Sequence, residues 1–270
     1  MIKDITIGQY FPGNSVIHRL DSRVKLILDI LYLVILFVAQ SYTGILVGML
    51  FMVICYMLAE IKLSMILKSI KPIMPLMLFT AILNLLFIKG ETPLFSWWII
   101  EIYPEGIRTA AFMLLRVVAL IVGMSLLTYT TSPIMLTEAI ERLLSPLKRL
   151  RFPVHELSMM MTIALRFIPT LVEETDKIMS AQKARGAELD SGGIVKKVKA
   201  LIPVLIPLFV SAFKRANELA TAMECRCYNG GEGRTRLRQL KTAPRDYVAI
   251  VIMAALLALV IVINCLPMLP

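Results

Sequence analysis

Two arginines carry the first chemical signal in this chain. Arg185 closes the stretch Ala181-Gln182-Lys183-Ala184-Arg185-Gly186, and Arg226 lies in Ala222-Met223-Glu224-Cys225-Arg226-Cys227-Tyr228. They stand 41 positions apart, and each has an alanine four positions upstream. Prolines precede both, Pro169 in one copy and Pro203 and Pro207 in the other. A guanidinium is planar and makes paired hydrogen bonds to carboxylates or carbonyls. The small neighbours Ala184, Gly186, Cys225 and Cys227 allow a partner surface to come close. A single arginine near a helix end means little, because a cation there simply complements the helix dipole. A near-repeat with one arginine per copy points to two similar docking elements for two similar partners.

Other chemistry is sparse. The two histidines are His18 and His155, and there are four cysteines. Cys55 and Cys265 fall in apolar stretches. Cys225-Arg226-Cys227 has no histidine nearby, and a tetrahedral metal site needs more ligands. The cysteines are therefore expected to be small buried side chains, with no metal and no redox role. No Gly-x-x-x-x-Gly-Lys-Ser/Thr phosphate loop is present, so the chain is not expected to hydrolyse ATP. No Ser/His/Asp constellation stands out, and neither a catalytic residue nor a cofactor is expected.

The elements that position the two arginines follow from hydropathy. The chain has 270 residues, 58% of them hydrophobic, with a mean hydropathy of +0.77. A soluble chain of this length could not hide so much apolar surface, and the apolar residues come in blocks near the ~20 residues that span a bilayer. Spans are expected at about 24–40, 42–59, 72–88, 107–128 and 247–266. The opening segment is too polar for a signal peptide, so the first span should be retained. Asp21 or Ser22 is the expected N-cap of the first span. Between spans three and four lie Glu91, Glu101 and Glu105, and the aromatics Trp97-Trp98 and Tyr103 there suit a membrane–water interface. The net charge of +10 reads as positive-inside anchoring rather than nucleic-acid binding. It places the N-terminus, the loop with Lys62, Lys68 and Lys71, and the long basic region in the cytoplasm.

Asp29 and Arg116 lie within spans, where an unpaired charge is costly. Either they form a coupling pair on a transport path, or they pin helix packing; two charges are few for a proton relay, which favours the packing role.

The region 132–245 reads as three helical segments. Pro133 to Leu150 is amphipathic, with Ser132 at its start. From Pro153 a second helix should kink at Pro169 and end at Gly186. A third runs from Ile194 to Cys227 with bends at Pro203 and Pro207, and the glycines after Asn229 stop it. The expected fold is all-α: a polytopic membrane protein of about five spans plus long amphipathic cytoplasmic helices. The expected divisions are 1–131, 132–245 and 246–270.

These motifs together resemble one family, the transmembrane T component of energy-coupling factor transporters. The resemblance covers essentially the whole chain. It rests on Gly8-Gln9-Tyr10-Phe11-Pro12-Gly13-Asn14-Ser15, on His18-Arg19-Leu20-Asp21-Ser22-Arg23-Val24-Lys25-Leu26, on Ala164-Leu165-Arg166-Phe167-Ile168-Pro169, on Ala184-Arg185-Gly186, and on the Gly-Glu-Gly-Arg-Thr-Arg segment from Gly231. It implies a subunit that joins two ABC-type ATPases to a small membrane-embedded substrate-binding S component, in vitamin or micronutrient uptake across a bacterial cell membrane. It implies that Arg185 and Arg226, with Ala184, Gly186, Cys225 and Cys227, dock on the ATPases. Cys225 and Cys227 depart from the family pattern, which has a small residue and a glycine there. The competing expectations are a self-contained secondary transporter or channel and a membrane-bound enzyme.

Overall fold

The computed structural model describes residues 10–90, 95–97, 100–150, 152–187, 193–230 and 242–265. Gly8, Gln9, Glu91, Trp98, Ser191, Gly192, the glycines from Gly231, and Arg234, Arg236, Arg238 and Lys241 lie outside them. The chain falls into two compact units. One contains Gly8–Ala139 and Leu240–Pro270, the other Ile140–Gln239.

The first unit is a bundle of apolar helices. Helix α1 (Ser22–Val38) starts at Asp21, whose carboxylate accepts from the Arg23 amide. Helix α2 (Tyr42–Leu58) starts at Ser41, whose Oγ accepts from the Gly44 amide. These caps satisfy amides that the first helical turn leaves without partners. Helices α5 (Pro104–Thr130) and α9 (Pro244–Cys265) are each long and apolar enough to cross a membrane. At 1.5 Å per residue they reach roughly 40 and 33 Å, against a hydrocarbon core of about 30 Å. Helix α2 is as apolar but shorter, with 17 residues. Four of the expected spans therefore fall on α1, α2, α5 and α9.

The third expected span, 72–88, also falls on a helix, but the segment before it differs from expectation. Helix α4 (Met74–Phe87) is preceded by a separate helix α3 (Leu63–Ile70), and the pair is bent by 62°. The segment bearing Lys62, Lys68 and Lys71, expected as a basic loop, is thus mostly helical. Pro72 sits in the break, where it has no amide proton to continue the ladder. Between α4 and α5 a short antiparallel hairpin forms, β1 (Phe95–Trp97) with β2 (Ile100–Ile102), pairing Phe95 with Ile102 and Trp97 with Ile100.

Tyr32, Ile35, Leu36, Ile45 and Tyr56 are fully buried where α1, α2, α5 and α9 meet. Tyr56 Oη donates to the Val122 carbonyl at 3.0 Å. Gly123 lets the Tyr32 ring come close: a Cβ there would lie 2.5 Å from that ring. At one end of the bundle Asp246 is 2% exposed. Its carboxylate accepts from the Asp21 amide at 3.0 Å and the Ala243 amide at 2.6 Å, joining the starts of α1 and α9. Lys25 Nζ donates to the His18 and Thr130 carbonyls. The N-terminal arm is tied down by the Phe11 amide donating to the Tyr129 carbonyl.

The second unit is helical throughout its described part. Helix α6 (Pro133–Leu144) holds the boundary between the units and runs into a 3₁₀ segment, Ser145–Leu150. Helix α7 (Val154–Ala184) continues through Pro169, and helix α8 (Ile194–Cys225) continues through Pro203 and Pro207. Arg215 on α8 pairs with Glu174 on α7, and Gln182 Nε2 donates to the Pro203 carbonyl. As one helix number rises the other falls, so α7 and α8 run antiparallel.

Candidate docking site at two helix ends

Both long helices stop in the same backbone turn. At the end of α7 the Gly186 amide donates to Lys183 O at 3.0 Å, and the Ala187 amide to Gln182 O at 3.0 Å. At the end of α8 the Cys227 amide donates to Glu224 O at 2.8 Å, and the Tyr228 amide to Met223 O at 3.0 Å. This double closure is the Schellman motif. Arg185 and Arg226 occupy the same position in it, the C-cap. The following residue must be left-handed, and Gly186 has φ +86°. Cys227 adopts φ +54° in its copy, although a side chain makes that conformation costly. The departure from glycine therefore leaves the turn intact.

Ala184, Arg185, Gly186, Cys225, Arg226 and Cys227 are all exposed. The expectation that the cysteines are buried is corrected for three of them: Cys225, Cys227 and Cys265 are exposed, and Cys55 is half-buried. The small neighbours of each arginine cannot cover its guanidinium. Neither arginine side chain has a hydrogen-bond or ion-pair partner among the described residues. Each guanidinium is thus held on a fixed turn with its donors open.

The antiparallel pairing puts the two turns at opposite ends of the α7/α8 pair. The turn after α8 lies by the start of α7, because Tyr228 Oη is 3.4 Å from His155 Nε2. From His155 to Arg185 the chain climbs about 45 Å of helix. Two arginines so placed can serve two partner surfaces at once.

A polar chain that the sequence does not reveal supports the second turn. Glu141 is buried, accepts from Ser158 Oγ at 2.9 Å and lies 3.2 Å from His155 Nδ1. His155 in turn meets Tyr228. His155 stands out in the sequence, but its carboxylate partner is 14 positions away across a turn. No periodic pattern marks that pairing.

Asp29 and Arg116 are not brought together. Arg116 donates to the Ala39 carbonyl at 2.7 Å and lies over the Phe112 ring. Ala39 caps the far end of α1, about 15 Å of helix from Asp29. A carbonyl and an aromatic face meet part of the Arg116 guanidinium, while its Nε is buried without a hydrogen-bond partner. Asp29 instead lines a cavity at the other end of α1. Among the described residues no three His, Cys, Asp or Glu side chains gather as metal ligands would.

Comparison with known proteins agrees with this architecture. The family model described as cobalt transport protein (CbiQ) matches residues 13–237. The energy-coupling factor transporter transmembrane protein EcfT of Clostridium kluyveri is 55% identical over 250 residues, covering 92% of this chain and 93% of its own length. The EcfT proteins of Acidaminococcus fermentans and Bacillus subtilis are 51% and 48% identical, covering 96% and 95% of this chain. With such identity along nearly its whole length, and with its apolar helices, the chain belongs to the EcfT family of energy-coupling factor transporter transmembrane proteins.

Proposed function

We propose that this chain is the mechanical link of an importer, joining two cytoplasmic ABC-type ATPase subunits to a membrane-embedded, substrate-binding S component for vitamin or micronutrient uptake. The observation that carries this reading is the duplicated turn. Two long helices each end in a Schellman motif with an exposed arginine at its C-cap, at opposite ends of one antiparallel pair. Two equivalent anchors suit two equivalent ATPases. Each guanidinium would bond carboxylates or carbonyls in a groove of its ATPase. A stiff helix then carries the displacement of its anchored end along its length. ATP binding and hydrolysis take place in the partners, since the chain has no phosphate loop.

The S component is accommodated by apolar surface on α8. Ile202, Leu205, Ile206, Phe209 and Phe213 are 47–64% exposed. They recur at helical spacing over about 16 Å. Exposed apolar patches of this extent mark protein or membrane contacts. The N-terminus and the region with both arginines face the cytoplasm on this reading.

The test is the double charge reversal Arg185→Glu with Arg226→Glu in the assembled transporter. The variant should insert normally, and substrate uptake should fall to background while the ATPases still bind ATP. Uptake at the unsubstituted rate would contradict the proposal.

A further inference from the structure

The membrane unit holds a cavity of about 530 Å³ that docking does not use. That volume falls within the ~300–1,000 Å³ of ligand sites. Its walls come from the start of α1, the end of α2, the end of α5 and the start of α9, so it sits at one end of the bundle. Leu28, Met52, Leu126, Ile252 and Met253 make it apolar. Along α5 it reaches from Thr130 down to Gly123, roughly 10 Å. That depth is less than one leaflet, which suits the upper part of an acyl chain.

Its charged lining is uneven. Lys25 and Arg245 are cationic, and Asp29 is the acid. Two of the three Lys25 donors are taken by the His18 and Thr130 carbonyls, leaving one. Arg245, in the first turn of α9, is exposed and has no partner among the described residues. Asp29 stands one turn below Lys25 on α1. An apolar slot shallower than one leaflet, with more cation than acid in its lining, fits an amphiphile with an anionic head.

We propose that this cavity binds an anionic phospholipid, with acyl chain between α1, α2, α5 and α9 and the phosphate on Arg245 and the free Lys25 donor. The bound lipid fills the space between the helices that carry the buried Asp246 junction. The cavity has this character whichever face of the membrane it opens to, so the site is independent of the docking function.

The experiment is native mass spectrometry of the full chain, delipidated and titrated with phosphatidylglycerol or phosphatidylcholine at equal concentration. One phosphatidylglycerol should bind in preference to phosphatidylcholine. Arg245→Gln, at the exposed rim, should weaken that lipid about fivefold and leave phosphatidylcholine unchanged. Ala249→Phe, which fills the slot, should abolish binding; if that variant fails to fold, Arg245→Gln carries the test. Asp29→Asn should bind at least as tightly as the parent. Equal retention of both lipids, no effect of Arg245→Gln, or loss of binding in Asp29→Asn would overturn the proposal, the last by showing that the site recognises a cation.

Discussion

Cys227 holds a left-handed backbone that costs a residue with a Cβ roughly 1–2 kcal/mol, a cost glycine avoids. Cys227→Gly should therefore raise the opening free energy of the turn after α8 by about 1 kcal/mol. Hydrogen exchange at the Cys227 and Tyr228 amides measures this, and unchanged exchange would contradict it. His18 makes a second residue-scale prediction. Its Nε2 lies 3.0 Å from the Phe11 carbonyl and its Nδ1 2.7 Å from Ser15 Oγ. A neutral ring donating from Nε2 and accepting at Nδ1 satisfies both. Burial holds its pKa below the usual 6.5, with Lys25 acting in the same direction and the Phe11 carbonyl and Glu60 opposing. The unfolded arm thus binds the proton more readily, so stability from this group is lost as pH falls through about 6.5. Exchange at the Phe11 amide, corrected for intrinsic rate, should quicken between pH 7.5 and 5.5, and His18→Gln should remove that dependence. The two arginine-bearing helix ends were legible in the sequence because a duplicated pattern around Arg185 and Arg226 survives without coordinates. The equality of the two turns was not, because Cys227 lacks the glycine that normally announces a left-handed position.

At the scale of elements, hydropathy located α1, α2, α4, α5 and α9, since long apolar blocks need no tertiary information. It misplaced α3, because three lysines around an eight-residue amphipathic helix look like a loop. It gave no sign of the hairpin, whose strands are three residues each. Helix contacts in the bundle depend on small residues that pattern alone does not single out. Gly123 is the clearest, and Gly123→Ala should destabilise the bundle by about 1–3 kcal/mol because the buried Tyr32 ring has nowhere to move. A lowered unfolding temperature in detergent is the expected readout. An unchanged Tm would mean that α1 and α5 can separate without cost. The Glu141–His155–Tyr228 chain belongs to this scale too, since it joins α6 and the start of α7 to the turn that bears Arg226.

At the scale of the whole molecule, two kinds of helix fall in two units. Apolar helices anchor one, and the other carries long helices that end in open arginines. Single helix ends of this kind are common; their duplication, and the antiparallel order that separates them, make the molecule suited to bridging two partners. The Asp29–Arg116 pair, which would have favoured self-contained transport, is replaced by two unrelated local solutions about 15 Å of helix apart. The most direct test is the native mass of the complex isolated in mild detergent through a tag on this chain. The expected result is one copy of this chain with two ATPase subunits and one small hydrophobic protein, the ATPases being lost from the Arg185→Glu, Arg226→Glu variant. A homo-oligomer of this chain without ATPases, reproducible across detergents, would contradict the linking role.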